Sequence, residues 1–94
     1  MYEFSIITVS YNDLSNLETT IASVQSQTFR NFEHIIIDAN STDGTKDFLA
    51  SLKPEYSFRY ISEKDKGIYD GMNKGIKLSK GKYLYFLNAG DTLY

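Results

Sequence analysis

The sequence has no cysteine. Disulfide frameworks and thiolate metal sites are therefore excluded, and nothing points to an oxidising compartment. It has a single histidine, His34, with no partner at ligand spacing, so this ring reads as structural. No apolar run approaches the roughly 18 residues of a membrane span. Met1-Tyr2-Glu3-Phe4 lacks the basic and apolar regions of a signal peptide, so a cytoplasmic chain without a membrane span is expected. Glycine-rich phosphate cradles are missing too. Neither G-x-G-x-x-G nor G-x-x-x-x-G-K-[ST] occurs, which excludes a dinucleotide binder of the usual type and a P-loop protein. Charge of one sign is also scarce: the formal net charge is -2, against the basic balance of a general nucleic-acid binder. There are no internal repeats, low-complexity tracts or linkers.

What is present is a chain of 94 residues, enough for one small domain spanning residues 1–94 that buries a little over ~60% of its unfolded surface. It is rich in rings, with eight Tyr and six Phe but no Trp. Phe4 to Val9 is β-branched and apolar, a first strand. Ser15-Asn16-Leu17-Glu18 has the form of a capping box, and Leu17, Ile21, Val24 and Thr28 recur at helical spacing, so a helix is expected over about Asn16 to Gln27. Phe32 to Ile37 is a second strand. A second helix carries Phe48, Leu49 and Leu52 and is closed by Pro54. Ser57 to Ser62 is a shorter, more polar strand suited to a sheet edge. Ile68, Met72 and Ile76 give a third helix, with Gly81 as its expected left-handed C-cap. Tyr83 to Leu87 is a last, uninterrupted apolar run, the pattern of a strand buried on both faces.

Strands alternating with helices predict an α/β fold, a three-layer, Rossmann-like parallel sheet with helices on both faces. Right-handed crossovers then give the strand order 3-2-1-4. Ligands of such sheets bind beyond the carboxyl ends of the strands, at the switch point. The loops after the first and fourth strands (Ser10 to Asp13, and Asn88 to Asp91) are expected to flank one crevice, with the loop beginning at Asp38 beside it.

Each loop offers chemistry with a plainer alternative. Thr8, Ser10, Tyr11 and Asn12 supply hydrogen bonds and a flat ring for stacking on a planar ligand, or serve as ordinary loop residues feeding a helix cap. Asp38 follows three isoleucines and can accept a hydrogen bond from a ligand N–H, or bond the backbone of its own turn; Asp43 caps the second helix. Without a glycine cradle, a diphosphate needs a metal ion. Mg²⁺ often takes one or two carboxylates and completes its shell with phosphates and water, which would make Asp91 a ligand; the alternative is a turn aspartate. Lys64, Lys66 and Lys74 are either phosphate counter-charges or a solvated face.

Four stretches, in order along the whole chain, together resemble the N-terminal half of a family 2 glycosyltransferase of the GT-A fold. They are Ser5-Ile6-Ile7-Thr8-Val9-Ser10-Tyr11-Asn12, Ile35 to Thr45 (Ile-Ile-Ile-Asp-Ala-Asn-Ser-Thr-Asp-Gly-Thr), Gly67-Ile68-Tyr69-Asp70-Gly71-Met72-Asn73-Lys74-Gly75-Ile76, and Leu87-Asn88-Ala89-Gly90-Asp91. The resemblance implies binding of a nucleoside-diphosphate sugar, a UDP-sugar first, for inverting transfer to an acceptor hydroxyl in polysaccharide or glycan biosynthesis. It implies that Thr8 and Tyr11 contact the base, with Ser10 and Asn12 beside them, that Asp38 accepts a bond from the base, and that Asn73 and Lys66 lie near ribose and phosphates. Asn88, Ala89 and Gly90 would border the same site, and Asp91 would hold Mg²⁺ or Mn²⁺ on the diphosphate.

The sequence departs from the family pattern at Ala39, where the signature has a second aspartate, and at the Asn88-Ala89-Gly90-Asp91 turn, which keeps one carboxylate of the metal motif. It also stops at Tyr94, where family members continue. The catalytic base is expected beyond that residue, so none is assigned here, and the chain alone is expected to be inactive. An exposed apolar edge at Tyr83 to Leu87 is expected to invite a second copy of the chain. Two other readings compete: a non-catalytic binding or assembly module with a vestigial nucleotide crevice, and a receiver-like signalling domain. The latter lacks the acidic pair expected after the first strand.

Overall fold

The computed structural model describes residues 2–27, 31–64 and 66–90. The elements run β1 (Phe4–Ser10), α1 (Leu14–Gln25), β2 (Phe32–Asp38), α2 (Thr45–Ser51), β3 (Ser57–Ser62), α3 (Ile68–Leu78) and β4 (Tyr83–Phe86). The four strands form one sheet in the order β3-β2-β1-β4, and all three pairings are parallel. The expected winding is therefore the one found. The register aligns Ser10 with Asp38, and Asp38 with Ser62, so three strand ends finish level beneath one rim.

The period of two along β1 and β2 sorts their side chains between the layers. Even positions face α1 and α2: Ile6 and Phe32 pack with Val24, and Ile36 packs with Leu17, Ile21 and Leu49. Odd positions face α3: Val9, Ile35 and Ile37 pack with Met72 and Leu78. Every residue of β2 is buried, as a central parallel strand requires. Each fully buried Ile or Leu here contributes about 1.5–3 kcal/mol over leaving it exposed. No described helix is long and apolar enough to cross a membrane.

Two buried polar groups sit among these apolar layers. Glu33 accepts hydrogen bonds from Ser5 Oγ (2.7 Å), Lys80 N–H (2.5 Å) and Arg59 Nη2 (2.8 Å). Burial alone would raise its pKa; these donors outweigh burial and hold the carboxyl below the usual range. The cluster fastens the α3–β4 connection to β1. The second group is His34. Its Nε2 shares a 2.8 Å hydrogen bond with Thr8 Oγ1, and the rings of Tyr56 and Phe58 flank it. Burial pushes the imidazole pKa down to about 3, so it is neutral at physiological pH. The structural role expected for His34 is what these contacts describe.

Four expectations are corrected. The Ser15 to Glu18 capping box does not form: α1 begins at Leu14 with Asp13 at the cap position, and Ser15 lies inside the helix. The Leu14 N–H is met instead from another loop, by Asp43 Oδ2 at 3.0 Å. Helix α1 ends at Gln25, short of the expected Gln27, and Thr28 lies outside the described residues. Gly81 is not a left-handed cap, since the C-cap of α3 is Ser79. Its missing side chain serves close packing: a Cβ there would stand 2.5 Å from Ser5 N and Oγ, and its N–H donates to Ser5 Oγ. Finally, β4 is not buried on both faces. Tyr83, Leu84, Tyr85 and Phe86 are 38–51% exposed, because β4 is an edge strand paired with β1 alone and α3 packs over β1 and β2. Only Leu87, just past the strand, enters the core.

Candidate functional site

A cavity of about 630 Å³ opens over the carboxyl ends of the first three strands, lined by Val9, Ser10, Tyr11, Ala39, Asn40, Lys64 and Gly67. Its walls come from the loops after β1, β2 and β3. The loop after β3 joins the wall in addition to those expected; of the loop after β4, only Asn88 to Gly90 lie within the described residues, and they are not among the described lining. The turn after β4 folds back over α1. Thr20 Oγ1 donates to Asn88 O (3.3 Å), and Gly90 N–H donates to Thr20 Oγ1 (2.9 Å) and Asn16 O (3.1 Å). Ala89 packs on the cluster around Leu17 and Leu49.

The first two loops are tied together by hydrogen bonds. Ala39 N–H donates to Ser10 O at 2.9 Å. Asn12 N–H donates to Ser41 Oγ at 2.8 Å, and Thr42 N–H donates to Asn12 Oδ1 at 2.7 Å. Asn12 has φ 46 and Asn40 φ 62, left-handed conformations that asparagine tolerates better than most residues. Asp43 joins the set from the other side. Its bonds from the Thr45 hydroxyl (2.5 Å) and from the Leu14 and Thr45 N–H groups keep its carboxyl below the usual range, against the opposing effect of desolvation. Asp43 thus bonds the first N–H of α1 and that of α2, where the sequence suggested α2 alone.

Two of the nucleotide-site residues named from sequence stand in the cavity wall. Tyr11 is 63% exposed and presents its ring. Ser10 is 5% exposed, and its hydroxyl has no partner among the described residues. An unsatisfied buried hydroxyl is costly, by roughly 1–3 kcal/mol, and the residue that carries it stands in the cavity wall. Thr8 and Asp38 lie behind the wall, fully buried. Thr8 is engaged by His34. Asp38 accepts from Ser41 N–H (2.9 Å), Ser41 Oγ (2.5 Å) and Ser62 Oγ (2.8 Å). Asn12 is exposed, but its side chain is spent on the neighbouring loop. Lys66 and Asn73 are exposed near the start of α3 and along it, outside the lining.

Sequence reasoning gave no site role to Val9, Asn40 and Gly67, and left Lys64 between counter-charge and solvated face. Gly67 has φ 120 with an open Cβ position, a conformation nearly restricted to glycine; a glycine directly ahead of an amphipathic helix was the available signal. Lys64 is the one charged residue among the described lining. Lys74 is drawn away from the cavity by Glu63 (3.1 Å), Asp70 (3.7 Å) and the carbonyl of Lys64. Lys46 bonds the side chain of Asn40. Asp70, bonded first by Lys66 N–H and helped by Lys74, has its carboxyl held below the usual range.

The described residues do not fit a divalent cation. Among them no three His, Cys, Asp or Glu side chains gather at one place, and the buried carboxylate of Asp38 already serves protein donors. The metal expectation therefore stands on Asp91, which lies outside the described residues.

A parallel sheet wound 3-2-1-4, with a ring-bearing cavity over its strand ends, is a doubly wound α/β architecture whose ligands bind at that end of the sheet. The profile of glycosyl transferase family 2 matches residues 5–94, and the chain belongs to that family. It is similar to an uncharacterised glycosyltransferase of Mycobacterium tuberculosis, 42% identical over 88 residues, covering 93% of this chain and 33% of that protein. The chain thus spans about a third of the length of that relative. Among solved structures it resembles Staphylococcus aureus TarS 1-349 in complex with UDP-GlcNAc, with a TM-score of 0.88 at 23% identity over 98% of this chain and 27% of the other. It also resembles the mannosyltransferase PcManGT from Pyrobaculum calidifontis in complex with GDP-Man and Mn²⁺, with a TM-score of 0.85 at 20% identity over 94% and 27%. These likenesses establish the GT-A fold, as expected.

Proposed function

We propose that this chain is the donor-binding part of a glycosyltransferase, and that its cavity takes the nucleoside of a nucleoside-diphosphate sugar. The observation carrying this reading is one wall that joins the exposed Tyr11 ring to the buried, unpartnered Ser10 hydroxyl. The ring stacks on the base, and Ser10 donates to or accepts from its polar edge. Lys64, the charged residue among the described lining, would meet the ribose and phosphates. A UDP-sugar is the first donor to test, then a GDP-sugar; the solved relatives hold one of each class.

A divalent ion, Mg²⁺ or Mn²⁺, held by Asp91 and completed by ligand phosphates, belongs to the same reading, supported by the Mn²⁺ in PcManGT. When bound, such an ion neutralises charge on the departing nucleoside diphosphate. In the full reaction an acceptor hydroxyl displaces the diphosphate with inversion, as in polysaccharide assembly, and a carboxylate base must reach that hydroxyl. No residue of this chain is assigned that role, so the 94-residue chain binds donor without transferring sugar.

The test is thermal stability during titration with UDP, GDP and their sugars, with and without Mn²⁺. Ligand at ~100 times its Kd should raise stability by roughly 2.7 kcal/mol. Absence of any shift would favour a second reading, a non-catalytic assembly module with a vestigial crevice. That reading draws on the exposed β4 residues Tyr83 to Phe86, an edge that a second copy of the chain would pair with.

A further inference from the structure

The three hydrogen bonds on Asp38 form the start of a continuous chain. Asp38 Oδ1 accepts from the Ser41 hydroxyl at 2.5 Å, and Oδ2 accepts from the Ser41 N–H at 2.9 Å. With its proton committed to Asp38, the Ser41 oxygen accepts from the Asn12 N–H at 2.8 Å. Asn12 immediately follows Tyr11 and holds φ 46. The same residue is fixed a second time through its side chain, which accepts from Thr42 N–H. Ser62 Oγ, from the end of β3, anchors Asp38 at 2.8 Å. Asp38 and Ser41 are both buried, while Tyr11 is largely exposed.

We propose that Asp38 is a positioning residue that acts through Ser41 and Asn12 to hold the Tyr11 ring over the cavity, and that it makes no contact with the donor's base. The physical reason lies in donor orientation. A serine hydroxyl has one proton. The carboxylate claims that proton, so the oxygen's lone pairs are aimed at the Asn12 amide. An unusual left-handed backbone turn beside the ring is thereby stabilised by charge-assisted hydrogen bonding. Remove the carboxylate and the hydroxyl is free to rotate; remove the hydroxyl and the Asn12 amide loses its acceptor. Either change loosens the segment that carries the ring while leaving the ring's own chemistry intact. Ala39, next in sequence and part of the lining, brings no carboxylate to replace Asp38 at the cavity. Polar recognition of the base therefore falls to the other polar groups of the lining, Ser10 and Asn40 among them, and to backbone groups.

This inference rests on the donor-site reading for its binding arm, and the experiment keeps the two separable. Ser41→Ala, Asp38→Asn and Tyr11→Ala are made singly, and the first two also in the Tyr11→Ala background. UDP and GDP are titrated by calorimetry, and exchange of the Asn12 amide is followed by NMR without ligand. The expected result is that Ser41→Ala and Asp38→Asn each weaken nucleotide binding about five- to tenfold, the scale of one net hydrogen bond. That loss disappears once Tyr11 is alanine, and the Asn12 amide exchanges faster in both variants while the β2 amides stay protected. Direct base contact by Asp38 predicts the opposite pattern. Ser41→Ala would then leave binding unchanged or tighter, and Asp38→Asn would cost the same with or without the ring; either result overturns the proposal. Should Asp38→Asn fail to fold, Ser41→Ala carries the test alone. Should the parent chain bind neither nucleotide, the donor-site reading falls. The exchange arm then decides the relay by itself, and unchanged Asn12 protection refutes it.

Discussion

Lowering the pH from 7 to 5 should destabilise this protein chiefly through one side chain. His34 is the only histidine, and burial lowers its pKa from 6.5 to about 3 in the fold. The depressed value means that the folded state refuses a proton that the unfolded chain accepts. Above pH 6.5 neither state is protonated and stability is unaffected. Below it, stability falls by about 1.4 kcal/mol per pH unit until the folded-state value is reached. Between pH 7 and pH 5 the loss is about 2 kcal/mol, against a total of roughly 5–14 kcal/mol for a domain of this length. It corresponds to a drop of about 8–16 °C in Tm. Urea titrations followed by circular dichroism at pH 7, 6 and 5 measure it directly, with the midpoint moving and the slope unchanged. His34→Gln should remove most of the pH dependence in this window whatever its own stability, leaving the small share of carboxylates such as Glu33. A parent protein whose unfolding free energy is flat from pH 7 to 5 would refute the reasoning, because it would place the ring in water or beside an undescribed anion.

Other consequences follow from the same contacts. Glu33→Ala leaves Arg59, Ser5 Oγ and the Lys80 N–H without their buried acceptor; chemical denaturation should show a loss of about 3 kcal/mol. Paired substitutions Tyr83→Glu and Tyr85→Glu fall on half-exposed positions of β4 and, since Tyr83 packs on the Phe4 ring, should cost about 1 kcal/mol. If β4 pairs with a second copy of the chain, light scattering coupled to size exclusion will record a dimer for the parent and a monomer for the pair. A parent that stays monomeric at high concentration dismisses that assembly.

The sheet order was legible because local signals and global rules agreed. Ile35-Ile36-Ile37 could only be a buried strand or a short piece of buried helix, and the amphipathic segments on either side settled the choice. Handedness then left one simple winding. What escaped the sequence was contact between distant segments. Ser15 to Glu18 satisfies the pattern of a capping box, yet an aspartate 29 positions beyond Leu14 supplies the acceptor, and nothing local announces it. Gly81 reads as a helix cap by position, but its reason is the backbone of β1 pressed against it. The apolar run at β4 was read as doubly buried. Composition says how sticky a strand is, while the partners on its two faces decide whether it is covered.

The site was half visible for the same reason. Tyr11 and Ser10 stand at the end of an unmistakable strand and arrive in the cavity wall as expected. Asp38 stands equally well at a strand end, but whether its carboxylate turns outward or inward depends on Ser41 and on Ser62, 24 residues away. The turn from Asn88 to Gly90 was placed at the crevice by topology alone. The hydroxyl of Thr20 and the carbonyl of Asn16 fasten its described part to the first turns of α1, contacts that nothing local announces. Lys64 gave only a charged-loop signal, and the cavity is what singles it out.

Whether this cavity is a nucleotide site is tested most directly by calorimetric titration of UDP into the parent chain, Tyr11→Ala and Ser10→Ala. Binding to the parent should be weakened by about tenfold or more when the ring is removed, the scale of stacking a base on an aromatic side chain, and severalfold when the hydroxyl is removed. Absence of binding by UDP and GDP alike, or binding indifferent to both substitutions, would contradict the account.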